Sequence, residues 1–338
     1  MDPVSLSPIS MDTVATDSTL LEVKDLRTHY PVRSGAFGQR TEWLRAVDGV
    51  SFVVGRGETF GLVGESGCGK SSLARSIIRL ETPRSGQVIF DGQNVLSASA
   101  AALKRLRREM QVIFQDPHGS LDPRMTVGQL IAEGLVVQGI GNRVSQRAES
   151  LRLADIVGLR REHLDRYPHE FSGGQRQRIG IARALALKPK FILADEPVSA
   201  LDLSVQSQVL NLLVELQREF GVAYLFIGHD LSVIEYISDR VGVMYLGRLV
   251  EVATPAVLYS DPRMPYTQAL LSAIPGQSDA TRKRIILQGD IPSPLNPPSG
   301  CPFRTRCWLA EERCAAERPE LREIVPAHWV ACHLGDRL

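Results

Sequence analysis

The spacing of hydrophobic and polar positions along the chain predicts strands that alternate with helices. LLEVKDL, at residues 20–26, alternates between apolar and polar side chains as a half-buried strand does. Short apolar runs predict further strands at VSFVV, ETFGLVG, FILAD, VAYLFIG and VGVMYL. Helical spacing of apolar residues is found in SLARSIIRL and in LSVQSQVLNLLVELQREF. This alternation predicts a mostly parallel α/β sheet.

The same patterns divide the chain into three parts. We predict a disordered lead-in over residues 1–19, which lack the basic start and apolar centre of a secretory signal. The α/β domain is predicted to cover residues 20–258 and to contain a helical subdomain at about 116–188, where the pattern is mostly helical. Residues 259–338 are predicted to form a C-terminal extension, in which a proline-rich loop leads to a group of cysteines.

Composition and charge limit the cellular compartments and the kinds of partner that we expect for this chain. The chain has 338 residues, of which 23% are charged, and its net charge is +1. This balance gives no reason to expect nucleic acid or an anionic membrane surface as a partner. No apolar run approaches the roughly 18–20 residues that a membrane span requires. We therefore predict a cytoplasmic protein, in which structural disulfides are rare.

The clearest candidate site is GESGCGKS at residues 64–71, which fits the pattern G-x-x-x-x-G-K-[ST] between a predicted strand and a predicted helix. Glycines in such a P-loop let backbone N–H groups surround phosphates at a helix N-terminus. Lys70 is predicted to reach the β- and γ-phosphates, and Ser71 to bind Mg²⁺. The predicted nucleotide-binding residues of this loop are Gly64, Glu65, Ser66, Gly67, Cys68, Gly69, Lys70, Ser71 and Ser72.

FILADEP supplies the second half of the predicted nucleotide site. Its apolar strand brings Asp195 to the carboxyl edge of the sheet, where this side chain can help Ser71 to hold Mg²⁺. Glu196 follows directly and is predicted to orient or deprotonate the attacking water. Together with the P-loop, this segment predicts a protein that binds and hydrolyses nucleotide.

Further motifs, in the order expected, resemble those of ABC ATPases. FSGGQRQR, at residues 171–178, is similar to the signature motif, and VIFQD is similar to the Q-loop. SALD resembles the D-loop, and the histidine after VAYLFIG resembles the switch histidine. The resemblance implies a P-loop NTPase (RecA-like) core with an antiparallel β subdomain and an inserted helical subdomain. It also implies a head-to-tail dimer, in which the partner's ATP is capped by Ser172, Gly173, Gly174 and Gln175.

The resemblance also implies roles for single residues. His229 would contact the γ-phosphate, and Gln115 would report metal and nucleotide state to the helical subdomain while sharing the Mg²⁺ site. Asp202 would bridge the two protomers. The implied catalytic residues are thus Lys70, Gln115, Glu196 and His229. Tyr30, in THYPV, is the candidate for stacking on adenine, and the alternative is a tyrosine on an edge strand.

Longer stretches closely resemble the ATPases of dipeptide/oligopeptide importers, among them RYPHEFSGGQRQRI, HDLSVIEYISDRVGVMYLGRLVE and DPRMPYTQALL. The resemblance covers nearly everything from Leu20 to Cys332. It implies a peripheral subunit at the cytoplasmic face of the inner membrane that energises peptide uptake. The implied partners are a homologous second ATPase in a heterodimer, two membrane permease subunits and, indirectly, an extracytoplasmic substrate-binding protein; no nucleic acid is expected. The alternative is a soluble ABC-type ATPase that acts on ribosomes or DNA.

Four cysteines lie close together near the end of the chain: Cys301, Cys307, Cys314 and Cys332. Their spacing lacks the tight C-x₂₋₄-C pairs that are usual in zinc sites. Four thiolates on irregular loops favour a [4Fe–4S] cluster, which some of the peptide-importer ATPases that this chain resembles carry in the same tail. Zinc and unliganded, packed thiols are the alternatives.

Overall fold

The computed structural model describes residues 18–34, 40–116, 119–274 and 284–338. The predicted disordered lead-in lies outside these residues except for its last two, since the first strand already begins at Thr19. In chain order the strands are β1 Thr19–Ser34, β2 Arg40–Gly55, β3 Thr59–Val63, β4 Ser85–Phe90, β5 Gln93–Asn94, β6 Met110–Ile113, β7 Phe191–Asp195, β8 Ala223–Ile227, β9 Arg240–Tyr245, β10 Arg248–Ala253, β11 Arg322–Val325 and β12 His328–Val330. The helices are α1 Lys70–Ile77, α2 Ala100–Glu109, α3 Val127–Gln138, α4 Arg143–Ile156, α5 Gly173–Leu185, α6 Leu203–Phe220, α7 Leu231–Ile237, α8 Pro255–Ser260, α9 Pro265–Leu271 and α10 Glu312–Ala316.

The main sheet has the strand order β11-β12-β10-β9-β3-β8-β7-β6. Its strands from β9 to β6 run parallel to one another, as the alternating pattern predicts. Every residue of β3, β7 and β8 is buried, which is the pattern of parallel strands covered on both faces. Because parallel strands end at the same edge, the segments that follow β3, β6, β7 and β8 come together there.

A smaller antiparallel sheet, in the order β2-β1-β4-β5, packs beside the P-loop helix α1. Its long hairpin of β1 and β2 is paired from Thr19–Gly55 out to Ser34–Arg40. Residues 35–39 lie outside the described part of the chain. Phe52 of β2 stacks on Phe60 of β3 with 4.8 Å between ring centroids, which joins the two sheets through a common core.

The predicted helical subdomain consists of α3, α4 and α5, with two short 3₁₀ turns before α5. Each of the three helices begins with a side chain that caps the first turn, and in each case the residue three positions later bonds back to the capping residue. Leu130, Leu153 and Leu164 are buried between these elements. The chain then returns through α5 to β7, which places the signature motif between the subdomain and the main sheet.

The longest helix, α6, has the bounds that its apolar spacing predicts. Asp202 caps its first turn by accepting a hydrogen bond from the Val205 N–H at 3.1 Å. Gly221 ends it with a φ of 66°, a left-handed conformation that favours glycine. The buried side of α6 faces the core, whereas Leu203 is 80% exposed. Among the helices of the described residues, none is both long and apolar enough to cross a bilayer.

The C-terminal extension packs as part of the main sheet. Glu251 and Val252 of β10 pair with Val330 and Trp329 of β12, and β11 pairs with the outer edge of β12. The extension thus adds two antiparallel strands to the sheet that carries the nucleotide motifs. Phe303, which is fully buried, belongs to the same hydrophobic core as the helical subdomain.

Candidate functional site

The P-loop closes around its own lysine. Lys70 is 6% exposed, and its Nζ donates hydrogen bonds to the Gly64 carbonyl at 2.7 Å and to the Glu65 carbonyl at 3.2 Å. The amine therefore lies inside the loop that precedes α1, where the helix dipole also favours a negative charge. A lysine amine and a helix N-terminus together are suited to binding phosphate, as the sequence predicts for this loop.

Two glycines of the loop stand where no side chain fits. A Cβ at Gly69, whose φ is 108°, would lie 2.0 Å from the Ala46 carbonyl oxygen. A Cβ at Gly64 would lie 2.2 Å from the Met244 carbonyl oxygen. The P-loop backbone thus packs directly on the backbone of neighbouring segments, which fixes the position of its N–H groups. Cys68 is also buried, and this burial raises the pKa of its thiol even though Lys70 is close.

Two of the three residues predicted to hold Mg²⁺, Ser71 and Asp195, contact each other, while the third, Gln115, bonds to Glu196. The Ser71 hydroxyl donates to Asp195 Oδ1 at 3.3 Å, across the gap between α1 and the end of β7. Burial raises the pKa of Asp195, and the charge of Glu196 raises it further. Hydroxyl and carboxylate oxygens are the ligands that Mg²⁺ prefers, and a divalent cation would compensate this buried carboxylate. The residues present therefore fit the ion.

Glu196 is the centre of the predicted catalytic group. Its Oε2 accepts a hydrogen bond from Gln115 Nε2 at 3.1 Å and also lies 3.1 Å from His229 Nδ1. The strand order explains this arrangement, because β7 lies between β6, which leads to Gln115, and β8, which leads to His229. Glu196 has a φ of 45°, a strained conformation that is common at active sites. Glu196 and His229 line a cleft of about 220 Å³.

The signature motif forms the N-terminus of α5. Ser172 Oγ accepts a hydrogen bond from the Gln175 N–H at 3.4 Å, and Gln175 Oε1 accepts one from the Ser172 N–H at 3.0 Å. Gly174 packs against α6, since a Cβ at this position would lie 2.2 Å from Val205 Cγ1. Ser172 and Gly173 are exposed, as a site for a partner's nucleotide must be.

Tyr30 and Asp202 lie at the edges of this arrangement. Tyr30 is half-buried on β1, opposite Leu44 of β2. Two residues earlier, the Thr28 hydroxyl is 2.7 Å from the Ser76 hydroxyl of α1, so this part of β1 is tied to the P-loop helix. Asp202 is exposed, and its capping hydrogen bond with the Val205 N–H lowers its pKa. It is therefore a charged group at the surface beside the signature motif.

Two further residues contact the P-loop from the C-terminal extension, and sequence reasoning missed both. Tyr266 Oη accepts a hydrogen bond from the Glu65 N–H at 2.8 Å. Arg306 forms a two-fold hydrogen-bonded ion pair with the Glu65 carboxylate. The partners are 201 and 241 positions apart in the chain, and no pattern in a single sequence reports such contacts.

The structure brings the four tail cysteines together as free thiols. Every pair among them interacts electrostatically. Burial raises the pKa of Cys301 to about 11, and it also raises the pKa of Cys307 and Cys332. The Leu334 N–H points at the Cys332 sulfur at 3.4 Å.

Within the described residues, however, no three cysteine, histidine or acidic side chains are arranged to hold a single metal ion. A zinc ion requires sulfurs within about 2.3 Å of one point, so the zinc alternative gains no support from this geometry. The [4Fe–4S] cluster gains no support from this geometry or from the comparisons with known proteins, and what agrees with it is the presence of four thiols.

Comparisons with protein families agree with the fold and the motifs. A family described as "ABC transporter" matches residues 47–199, which contain the P-loop, Gln115, the signature motif and Glu196. A second family, "Oligopeptide/dipeptide transporter, C-terminal region", matches residues 250–314. The fold and site thus define the chain as an ATP-hydrolysing ABC cassette.

Individual proteins narrow the class further. The chain is 51% identical to the oligopeptide transport ATP-binding protein AppF of Bacillus subtilis over 326 residues, which are 95% of this chain and 99% of AppF. It is 48% identical to the dipeptide transport ATP-binding protein DppF of Escherichia coli over 330 residues, covering 97% and 98% of the two chains. Among solved structures, the ATP-binding cassette MJ0796 bound to ADP and Pi is similar with a TM-score of 0.62 and 27% identity, over 70% of this chain and 99% of that one. The protein belongs to the ATP-binding subunits of oligopeptide and dipeptide ABC transporters.

Proposed function

We propose that this protein binds and hydrolyses ATP at the cytoplasmic face of the inner membrane and thereby energises the uptake of di- and oligopeptides. The observation that carries the ATPase assignment is the position of Glu196, whose carboxylate contacts both Gln115 and His229 beside the P-loop. The assignment to peptide import is supported by the relatives and by the C-terminal family match.

In this proposal the P-loop backbone and Lys70 hold the β- and γ-phosphates, and Tyr30 stacks on adenine. Glu196 accepts a proton from the attacking water as a general base. Its hydrogen bond from Gln115 fixes the direction of the carboxylate, while His229 holds the γ-phosphate. Gln115 also connects the nucleotide to the helical subdomain, since it follows β6 and lies ahead of α3.

Ser71, Asp195 and Gln115 hold Mg²⁺ in the proposed complex with ATP. The bound ion neutralises charge on the phosphate oxygens. The chain's own contribution is to keep the Asp195 carboxylate buried beside Ser71, facing the phosphate site.

A second ATPase completes the site. Because Ser172 and Gly173 are exposed at the N-terminus of α5, we assign Ser172, Gly173, Gly174 and Gln175 to cap the ATP of a partner, although Gly174 itself is buried. Asp202 then lies at the contact between protomers. We assign the partner as a homologous chain in a heterodimer, docked on two membrane permease subunits, with an extracytoplasmic binding protein that delivers the peptide.

Reconstitution tests the proposed function directly. The protein, its partner ATPase and the permease pair are placed in liposomes with the substrate-binding protein inside and ATP outside. We expect a radiolabelled dipeptide or pentapeptide, enclosed with the binding protein, to leave the lumen only when ATP is present. Vesicles with the permeases alone are the control. Absence of transport, together with an ATPase rate that ribosomes or DNA increase, would support the alternative of a soluble ABC-type ATPase.

The four tail cysteines, Cys301, Cys307, Cys314 and Cys332, are assigned as ligands of a [4Fe–4S] cluster. What supports this is the donor set, because four free and largely buried thiols lie within electrostatic range of one another. Iron–sulfur clusters bind through four such thiolates. When bound, the cluster supplies a covalent link between the segments around these cysteines.

Metal analysis of anaerobically purified protein checks this assignment. We expect a brown protein with about four irons and matching sulfide per chain, and loss of both in Cys307→Ser. Cys68→Ser, which changes the P-loop cysteine, should retain the full iron content. A colourless protein with one zinc per chain would replace the cluster by zinc, and a metal-free protein would leave the thiols unliganded.

A further inference from the structure

The C-terminal extension contacts the P-loop through one arginine. Arg306 Nη1 donates to Glu65 Oε2 at 2.7 Å, and Nη2 donates to Oε1 at 2.9 Å. The Arg306 side chain is 7% exposed and that of Glu65 is 24% exposed. A two-fold guanidinium–carboxylate pair fixes the relative orientation of both groups as well as joining their charges. Because it is largely shielded from water, the pair is screened less than an ion pair at the surface.

The other polar groups of Glu65 are bonded as well. Its N–H donates to Tyr266 Oη at 2.8 Å. Its carbonyl accepts hydrogen bonds from Lys70 Nζ and from the Cys68 N–H, both at 3.2 Å. Glu65 is therefore held from inside the loop by its carbonyl and from the C-terminal extension by its N–H and carboxylate.

The turn that carries Arg306 is fixed by the packing of Phe303 on two tyrosines. Its N–H donates to the Phe303 carbonyl at 3.0 Å, in a turn that follows Cys301. Phe303 is fully buried and packs edge-on against Tyr245 at 5.3 Å and against Tyr266 at 5.4 Å between ring centroids. Such packing leaves the turn little freedom, so Arg306 meets Glu65 from a fixed position.

We infer that Arg306 is a positioning residue for ATP binding, which acts by holding Glu65 and with it the P-loop backbone. A loop that is already in its binding conformation loses less entropy when the phosphates bind. The guanidinium also neutralises a carboxylate that would otherwise repel the triphosphate. The inference rests on the proposed role of the P-loop as the nucleotide site.

The contact between Arg306 and Glu65 connects the segment that carries the four tail cysteines, residues 301–332, to the predicted nucleotide site. Arg306 precedes Cys307 directly, and the Cys301 N–H donates to the Cys314 carbonyl at 2.8 Å, so the turn that carries Arg306 is part of the fold around the cysteines. Loss of order in that segment should therefore weaken ATP binding.

Titration of the full-length protein with fluorescent mant-ATP tests the inference. We expect Arg306→Ala to weaken binding about tenfold, the loss expected for one charged hydrogen-bonding partner. Hydrogen exchange at residues 64–72 should become faster in the same variant. The matched control is Arg322→Ala, which removes another arginine of the extension that forms a two-fold pair, there with Asp336. Its affinity for mant-ATP should equal that of the wild type.

A second substitution distinguishes positioning from general loss of structure. In the Arg306→Ala background, Glu65→Gln removes the uncompensated carboxylate and should restore part of the affinity. Full affinity for mant-ATP in Arg306→Ala would overturn the inference while leaving the proposed function intact. So would full restoration of affinity by Glu65→Gln, because the loss would then come from the unpaired charge alone and not from the position of the loop. Failure of the wild-type protein to bind mant-ATP would instead overturn the proposed function.

Discussion

Glu196→Gln is expected to lower the rate of ATP hydrolysis by about 10²- to 10⁴-fold, the usual contribution of a general base. An amide has nearly the same shape as the carboxylate, but it does not take up a proton from water at neutral pH. Because Glu196 is assigned no contact with the phosphates before the reaction, ATP affinity should remain close to that of the wild type. Phosphate release and mant-ATP titration measure the two quantities separately.

The same variant should also stabilise the ATP-bound dimer, since the nucleotide that holds the protomers together is no longer consumed. Size-exclusion chromatography with ATP measures this effect. Glu215→Gln is a matched control, because Glu215 is an exposed glutamate on α6. This variant should hydrolyse ATP at the wild-type rate. Hydrolysis by Glu196→Gln at the wild-type rate would show that another group activates the water.

The predicted elements agree best with the structure where local chemistry marks both ends of an element. α6 has the predicted bounds because Asp202 caps its start, Gly221 ends it, and apolar side chains recur with helical spacing between them. The extension is different: β11 and β12 are four and three residues long, and the side chains of β11 are mostly exposed. These strands form because β10 offers an edge for pairing, and this is a tertiary effect that local sequence does not encode.

The sequence motifs identify which residues form the site, but they do not predict the contacts between them. Gln115 and His229 meet at one oxygen of Glu196 because β7 lies between β6 and β8. The local patterns of a single sequence do not reveal this strand order. The contact between Arg306 and Glu65 depends further on how the extension folds back over the main sheet. The sequence predicts an extension over residues 259–338, but nothing in its pattern predicts that Tyr266 and Arg306 contact the P-loop.

A buried contact between a histidine and a glutamate joins the extension to β10. His328 Nε2 lies 2.7 Å from Glu251 Oε1, and the two side chains are 1% and 0% exposed. Glu251 also accepts hydrogen bonds from the Arg263 N–H at 2.7 Å and from the Met264 N–H at 3.2 Å. One carboxylate therefore joins β10, β12 and the start of α9, the helix that carries Tyr266 to the P-loop.

His328→Leu is expected to lower the free energy of unfolding by about 3 kcal/mol, because it removes the side-chain hydrogen-bond partner of the buried Glu251. Urea unfolding followed by tryptophan fluorescence, to which Trp329 next to His328 on β12 contributes, measures the change. His328→Gln, which retains a donor, should cost less. His333→Leu is the control, since His333 bonds only to the Glu317 carbonyl near the surface, and its loss should cost about 1 kcal/mol. Equal stability of His328→Leu and wild type would mean that strand pairing and the hydrophobic core alone hold the extension against the nucleotide site.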